Sequence, residues 1–288
     1  MKTIHAQGVV VSLLLLYVLM TSQIKFFSVS SNMSRRLPSE ADGCYHVFLD
    51  VGANVGIHGR FVFEPEKFPH ANKSRSVFDE VFGTSRDNRD ICCFEFEPNP
   101  LHQTELKRKS EAYKKVGWRY HVMHMGASDH DGAIDFYHQG DEKYNEWGFS
   151  LKKLSNDATK VSVPVIRFST WVEREVNRRL IPSSPFATYI GPKVVMKMDI
   201  EGSEYVVLPD LLVSGAICGI DHIFGEFHPH FTPLNFTGMN VPLRNRTDAS
   251  RLTDALRLAL SSSRQCETVF QYLDDEAYLI DATPLPGM

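Results

Sequence analysis

Four times in this chain a short apolar run ends on an acid or just before one: YHVFLD (45–50), ICCFEFE (91–97), KVVMKMD (193–199) and HIFGE (222–226). Runs of five to seven residues bounded by turn signals read as strands buried on both faces, and the stretches between them carry helical periodicity rather than tight turns. Strands separated in this way pair in parallel, which predicts an α/β domain with a mostly parallel sheet. Trp118–Met125 reads as a further strand, residues 133–137 and 161–166 as shorter ones. Helices are predicted after Asn54, through Glu105, Leu106 and Tyr113, from a cap at Thr170 to about Leu180, over Ser203–Ser214, and from a cap at Asp248 through Leu252, Leu256 and Leu260. Thr268–Leu273 and Ala277–Ile280 flank the tight turn Asp274-Asp275-Glu276, so those two closing strands are expected to be antiparallel.

The first 43 residues stand apart. Gly8 to Ile24 holds no charge, is preceded by Lys2 and followed by Lys25, Arg35 and Arg36, and just reaches the lower limit of a membrane-spanning helix. We read residues 1–27 as a signal anchor, with a signal peptide cleaved near Ser28-Val29-Ser30 as the alternative, and 28–43 as a polar tether. Residues 44–288 are then the folded domain, with the polar stretch at about 64–90 expected as a surface insertion. Either N-terminal reading sends that domain into the secretory lumen, as a single-pass membrane protein of the endoplasmic reticulum or Golgi or as a secreted one. Four N-x-S/T triplets, at Asn32, Asn72, Asn235 and Asn245, fit such an address. So does the possibility of a disulfide among the five cysteines, whose spacing matches no zinc motif. With 31 basic residues against 35 acidic ones the chain has no field suited to a phosphate backbone, which argues against nucleic acid as a partner.

In an open α/β sheet, ligands bind beyond the carboxyl ends of the strands, so Asp50, Glu97, Asp199 and Glu226 mark a candidate site. After Asp50 the chain reads VGANVG: Gly52 and Gly56 permit a sharp turn and let a ligand approach the backbone where a helix opens. A dinucleotide fingerprint would place glycine where Asn54 stands, to clear room for a pyrophosphate. A nucleoside without phosphates is the better fit, with Glu97 free to accept hydrogen bonds from both ribose hydroxyls.

DVGANVG, FEPNP, GASDHDGAIDFY and MKMDIEGSEYVVL occur here in the order in which they occur in FkbM-type methyltransferases, and the resemblance extends over roughly residues 45–282. It implies a Rossmann-like class I fold, a mostly parallel seven-stranded sheet with an antiparallel C-terminal strand, and S-adenosylmethionine as cofactor. It further implies that Asp50, Gly52, Asn54 and Gly56 surround the methionine part of that cofactor, that Glu97 binds its ribose, that Ser128 and Asp129 lie near the adenine, and that Asp199 and Glu201 border the methyl group and acceptor.

A sulfonium methyl is already activated, so a protein that transfers it mainly aligns the acceptor and, for a hydroxyl, supplies a base. Asp199, His228 and Glu204 are the catalytic candidates by position, with His228 and Asp199 favoured as bases. The expected reaction is O-methylation of a sugar or small-metabolite hydroxyl, so a small-molecule or glycan acceptor is the expected partner. His228-Pro229-His230 beside Glu226 raises the question of a metal, but the prolyl turn and the lack of ligand spacing argue for none. A non-catalytic lumenal module retaining a nucleoside pocket is the alternative, and a dinucleotide oxidoreductase is opposed by Asn54.

Overall fold

A computed structural model describes residues 36–140, 146–183, 185–186, 190–231, 246–262, 266–273, 281 and 283–287, with only the backbone for 246–249. The apolar segment at 8–24, the sequons at Asn32, Asn235 and Asn245, and the strand expected at 277–280 lie outside the described residues. Among the described residues no helix is long and apolar enough to cross a membrane.

Among the described residues six strands form the main sheet: β1 (His46–Val51), β2 (Ile91–Phe96), β3 (Arg119–Met123), β7 (Val194–Met198), β8 (His222–Gly225) and β9 (Val269–Tyr272). Their order is β3-β2-β1-β7-β8-β9, and each described pairing is parallel. The chain thus lays down β1, β2 and β3 outward in one direction, then returns to place β7 against the other side of β1. That reversal of direction between β1 and β7 opens a crevice at the strand ends where an α/β sheet holds its ligand. The remaining strands, β4 (Gly126–Ser128), β5 (Gly132–His138) and β6 (Thr159–Arg167), form a separate sheet in the order β4-β6-β5, with β5 and β6 antiparallel.

The two faces of the main sheet follow from alternation along each strand. On β1, Val47, Leu49 and Val51 enter one core with Phe94, Phe96, Trp171, Tyr205 and Leu256, while Phe48 enters the other with Phe61, Phe78, Tyr113 and Phe224. The first core is closed by α5 (Glu204–Ser214) and α6 (Arg246–Ser262), the second by α1 (Ile57–Phe63), α2 (Asn72–Phe82) and α3 (Gln103–Lys115). Adjacent cysteines on β2 obey the same alternation. Cys92 points to the first face and forms a disulfide with Cys44, while Cys93 points to the second and is free and buried. A second disulfide joins Cys218 and Cys266.

Three expectations are corrected here. Residues 64–90 are not a surface insertion: Phe68, Val77, Phe78 and Phe82 are almost wholly buried, and α2 covers one face of the sheet with an apolar edge that its polar residues mask in the sequence. The helix expected from Thr170 begins at Phe168 as α4 (Phe168–Trp171) and runs on as a single wide turn over Val172–Asn177. Phe168 and Trp171 are both core residues, so their burial sets where the helix starts, against a capping preference of only about 1 kcal/mol. Asp248 falls in the first turn of α6 rather than at its cap, because that helix starts at Arg246. Asn72, by contrast, is exposed at the start of α2.

Candidate functional site

The ends of β1 and β7 are held together by backbone. Asp50 is aligned with Glu95 on β2 and Lys197 on β7, and the Asp199 N–H donates to the Val51 carbonyl at 3.0 Å. Beyond β1 the chain leans onto β2: the N–H groups of Gly52 and Ala53 both donate to the Phe96 carbonyl, at 3.0 and 3.1 Å. Gly52 has φ +83°, and a Cβ there would lie 1.7 Å from the Asp199 carbonyl oxygen. Gly225, at the end of β8, has φ +151° and would put a Cβ 1.8 Å from the Met198 oxygen. The last peptides of β7 therefore run between two glycines, and no side chain fits at either place.

The tips surround a cleft open to solvent. Its floor and one wall come from Gly52, Ala53, Asn54, Glu97, Lys197, Asp199, Ile200 and Glu201. The lining also has an aromatic part: Phe136 on β5, with Trp147 and Phe149 from the segment between β5 and β6. Glu97 is almost fully buried and is oriented by backbone. Its Oε2 accepts the Asn54 N–H and its Oε1 the Asn99 N–H, both at 2.7 Å. Each oxygen keeps a further lone pair, so the carboxylate is a preset double acceptor. Burial pushes its pKa up to about 7 against the opposing pull of those two N–H groups. Asn54 reaches Glu97 from a left-handed conformation (φ +51°), which asparagine tolerates better than other side chains of its size.

On the β7–β8 side the cleft meets a charged cluster. His228 Nδ1 is 3.0 Å from Glu204 Oε1 and 3.8 Å from Asp199, while its Nε2 is 3.5 Å from Glu226 and 3.9 Å from Glu201. Burial alone would discharge the ring, but Glu204 and then the other carboxylates outweigh it and raise its pKa to about 12. Glu204 is wholly buried, with Oε1 accepting the Ile200 N–H and Oε2 the Gly202 N–H, both at 2.9 Å. Asp199 and Glu201 are driven apart. Burial favours the neutral form of both, but Lys197, 3.2 Å away, and His228 hold Asp199 below the usual carboxylate range. Glu201, facing the charge of Asp199, is pushed well above it. Divergent shifts on neighbouring carboxyls are the arrangement that separates an acid from a base at one pH. Glu201 also holds a left-handed backbone (φ +52°), which costs it about 1–2 kcal/mol and turns the chain into α5.

Residues 50–278 match the family of the methyltransferase FkbM domain. The chain belongs to that family. A solved structure, the methyltransferase FkbM from Methylobacillus flagellatus KT, is similar at 16% identity and a TM-score of 0.29, over 59% of this chain and 29% of that one. This chain therefore spans less than a third of that protein's length. No curated protein matches.

In this FkbM domain the cleft gathers Gly52, Asn54, Glu97, Asp199 and Glu201 from the residues singled out in the sequence. Asp50, Gly56, Ser128, Asp129, Glu204 and His228 do not form its wall. Asp50 is fully buried beneath it, 3.8 Å from Lys197 and 3.9 Å from His58. Gly56 faces inward, where a Cβ would lie 2.3 Å from the Tyr120 hydroxyl, so its smallness serves the core rather than the approach of a ligand. Ser128 and Asp129 bond to each other and to His130, while their neighbours Gly126 and Ala127 line the cleft. His228, favoured in the sequence as a base, is held as an imidazolium and in that form has no lone pair with which to accept a proton. Asp199, Glu204 and His228 bring ligand atoms within 4.8 Å of one another, close enough for a small cation, yet His228 as an imidazolium offers no lone pair to one. Sequence reasoning missed His58, His102, Phe136, Glu146 and Phe149 in the cleft. The pair Phe136 and Phe149, on either side of a polar stretch, is the one local signal that could have pointed there.

Proposed function

We propose that this protein transfers a methyl group from S-adenosylmethionine to a hydroxyl of a sugar or small metabolite in the secretory lumen. The observation that carries the reading is Glu97, a buried carboxylate in the lining of the cleft, fixed by two backbone N–H groups. A vicinal diol such as ribose is the natural partner for two parallel acceptors. The lining fits the rest of that cofactor: Asp199 brings negative charge to the wall, and the aromatic face of Phe136, Trp147 and Phe149 suits a purine or the apolar face of a sugar.

Bound there, S-adenosylmethionine supplies a methyl group already activated by its sulfonium. The protein supplies position and a proton acceptor. Asp199, kept ionised by Lys197 and reachable from the cleft, is the base that takes the proton from an acceptor hydroxyl. His228 holds Asp199, Glu201 and Glu204 in place through its charge and is not itself the base. Both disulfides favour an oxidising compartment, in keeping with the apolar segment at 8–24.

Full-length protein in detergent, titrated calorimetrically with S-adenosylmethionine and its demethylated product, tests the cofactor. Incubation with methyl-labelled cofactor and a panel of glycans and metabolites tests the acceptor. Absence of binding to either nucleoside would defeat the reading; binding without transfer to any hydroxyl would leave a nucleoside-binding module instead. Turnover in Asp199→Asn at the wild-type rate would remove Asp199 from the role of base.

A further inference from the structure

The turn that carries Asn54 is anchored from a distant part of the chain. Lys109, on α3, is fully buried, and its ammonium donates to the Val55 carbonyl in the middle of the glycine turn. Its close charge partner is Asp281, near the C-terminus, at 2.8 Å; Glu105 is farther, at 3.6 Å, and partly exposed. The other Asp281 oxygen pairs with Arg60, a fully buried residue of α1, the helix that the turn opens into. Arg60 also donates to the carbonyls of Thr283, at 2.7 Å, and Pro284, at 3.2 Å, and Leu285 is buried in the same core, so the terminal segment is held in place by more than one bond.

We propose that Asp281 is a positioning residue for the cofactor turn, acting through Lys109 on the Val55 carbonyl and through Arg60 on the helix that follows. The inference rests on the reading of this cleft as a cofactor site. Two buried cations meet on one carboxylate, and they answer differently to its loss. Arg60 keeps Glu64, whose Oε1 is 3.1 Å away, and the two tail carbonyls. Among the described residues Lys109 keeps as a charge partner only the more distant Glu105, and an ammonium drawn toward it leaves the Val55 carbonyl. The Asn54 N–H, one residue earlier, is then no longer held against Glu97, and the preset pair of acceptors is lost.

The test compares full-length wild type with Asp281→Asn by two readouts. The first is hydrogen exchange of the amides at residues 53–57 without ligand, expected to quicken at least fivefold while the amides of β1 and β7 keep their wild-type rates. The second is the dissociation constant for S-adenosylhomocysteine, expected to rise at least fivefold with the maximal rate at saturating cofactor held within twofold. Asp281→Glu, which retains the charge, should restore most of both. A merely structural role would lower the unfolding temperature and leave exchange in the turn and affinity of the folded protein unchanged, and that result overturns the inference. Should Asp281→Asn fail to fold, Lys109→Arg carries the same test, because it keeps the charge pair but displaces the donor from Val55; unchanged exchange there also overturns it. If the wild type binds no nucleoside, the proposed function fails, and exchange in the turn still decides whether Asp281 positions it.

Discussion

Glu97 makes the most demanding prediction, because its environment sets two pH dependences of opposite sign. In the free protein its pKa is raised from the ordinary carboxylate value to about 7, chiefly by burial. The folded state therefore keeps a proton that the unfolded chain has released. The associated stability is fully present below about pH 4.5 and is lost as pH rises through about 7. A shift of this size corresponds to about 3 kcal/mol. Binding of a diol requires the other form, since only the ionised carboxylate offers acceptors on both oxygens. At pH 6 about one in eleven Glu97 side chains is ionised, and at pH 8 about ten in eleven, so affinity should fall about tenfold from pH 8 to pH 6 and about tenfold again per unit below that.

Calorimetric titration with S-adenosylhomocysteine from pH 5.5 to 8.5 measures the second slope, and thermal denaturation of the free protein over the same range measures the first. Glu97→Gln separates Glu97 from any other group that titrates in this window. The variant should lose at least tenfold in affinity at pH 8, lose the pH dependence of binding, and lose the fall in stability between pH 4.5 and 7. A wild-type affinity that stays flat from pH 6 to 8, or a Glu97→Gln variant with the wild-type slope, would refute the assignment of Glu97 as the acceptor for the diol.

Gly52→Ala should destabilise the domain by at least about 3 kcal/mol, since it combines positive φ with a Cβ 1.7 Å from the Asp199 carbonyl oxygen; a calorimetric unfolding temperature within 2 °C of wild type would contradict this. Replacing Cys44 and Cys92 together by alanine opens a loop with a sequence separation of 48 residues and should cost about 4 kcal/mol, measured by denaturant unfolding without reductant. Cys93 cannot substitute as a partner, because it points to the opposite face beside Glu95, 3.0 Å away. His228→Gln should lower stability by about 3–5 kcal/mol near pH 6, by leaving buried carboxylates without their cation. The folded pKa of His228, about 12, lies above its ordinary value, so the stability it adds is complete below about pH 6.5 and declines as pH rises. The gap between wild type and variant in thermal denaturation should therefore narrow from pH 6.5 upward, and a gap that widens would contradict an imidazolium.

What the sequence discloses about this site follows from how local each cause is. Asp50, Glu97 and Asp199 are legible because each closes a short apolar run, and the end of a buried parallel strand is where a ligand meets an α/β sheet. The apolar side of α2 was not legible as core: Val77, Phe78 and Phe82 are diluted by Lys73, Arg75, Asp79 and Glu80, and only the packing of Phe78 against Phe48 and Phe224 shows which edge is covered. The state of His228 was not legible for a different reason. A histidine in a prolyl turn reads as a solvent-tuned base, but its charge here is set by Glu204 and Glu201 after β7 and by Glu226 after β8, segments whose approach depends on the pairing of those strands.

The glycine turn shows how one motif can be read correctly in outcome and incompletely in cause. Gly52 and Gly56 do allow a sharp turn, with φ of +83° and +73°. The space a side chain would need, however, is filled by protein at both: the Asp199 carbonyl at Gly52, and Tyr120 with Leu106 at Gly56. Each glycine therefore sets a distance between two parts of the site. Gly52 lets the end of β7 close on the end of β1, which brings Asp199 beside the turn that carries Asn54. Gly56 lets α1 settle onto Tyr120 and Leu106, which places Val55 within reach of Lys109. Ala53 and Asn54 between them line the cleft, as Gly52 does. Asn54, left-handed and bonded through its N–H to Glu97, links the turn to the carboxylate, so a substitution at either glycine should disturb cofactor affinity through Glu97 even where no ligand atom approaches the glycine itself.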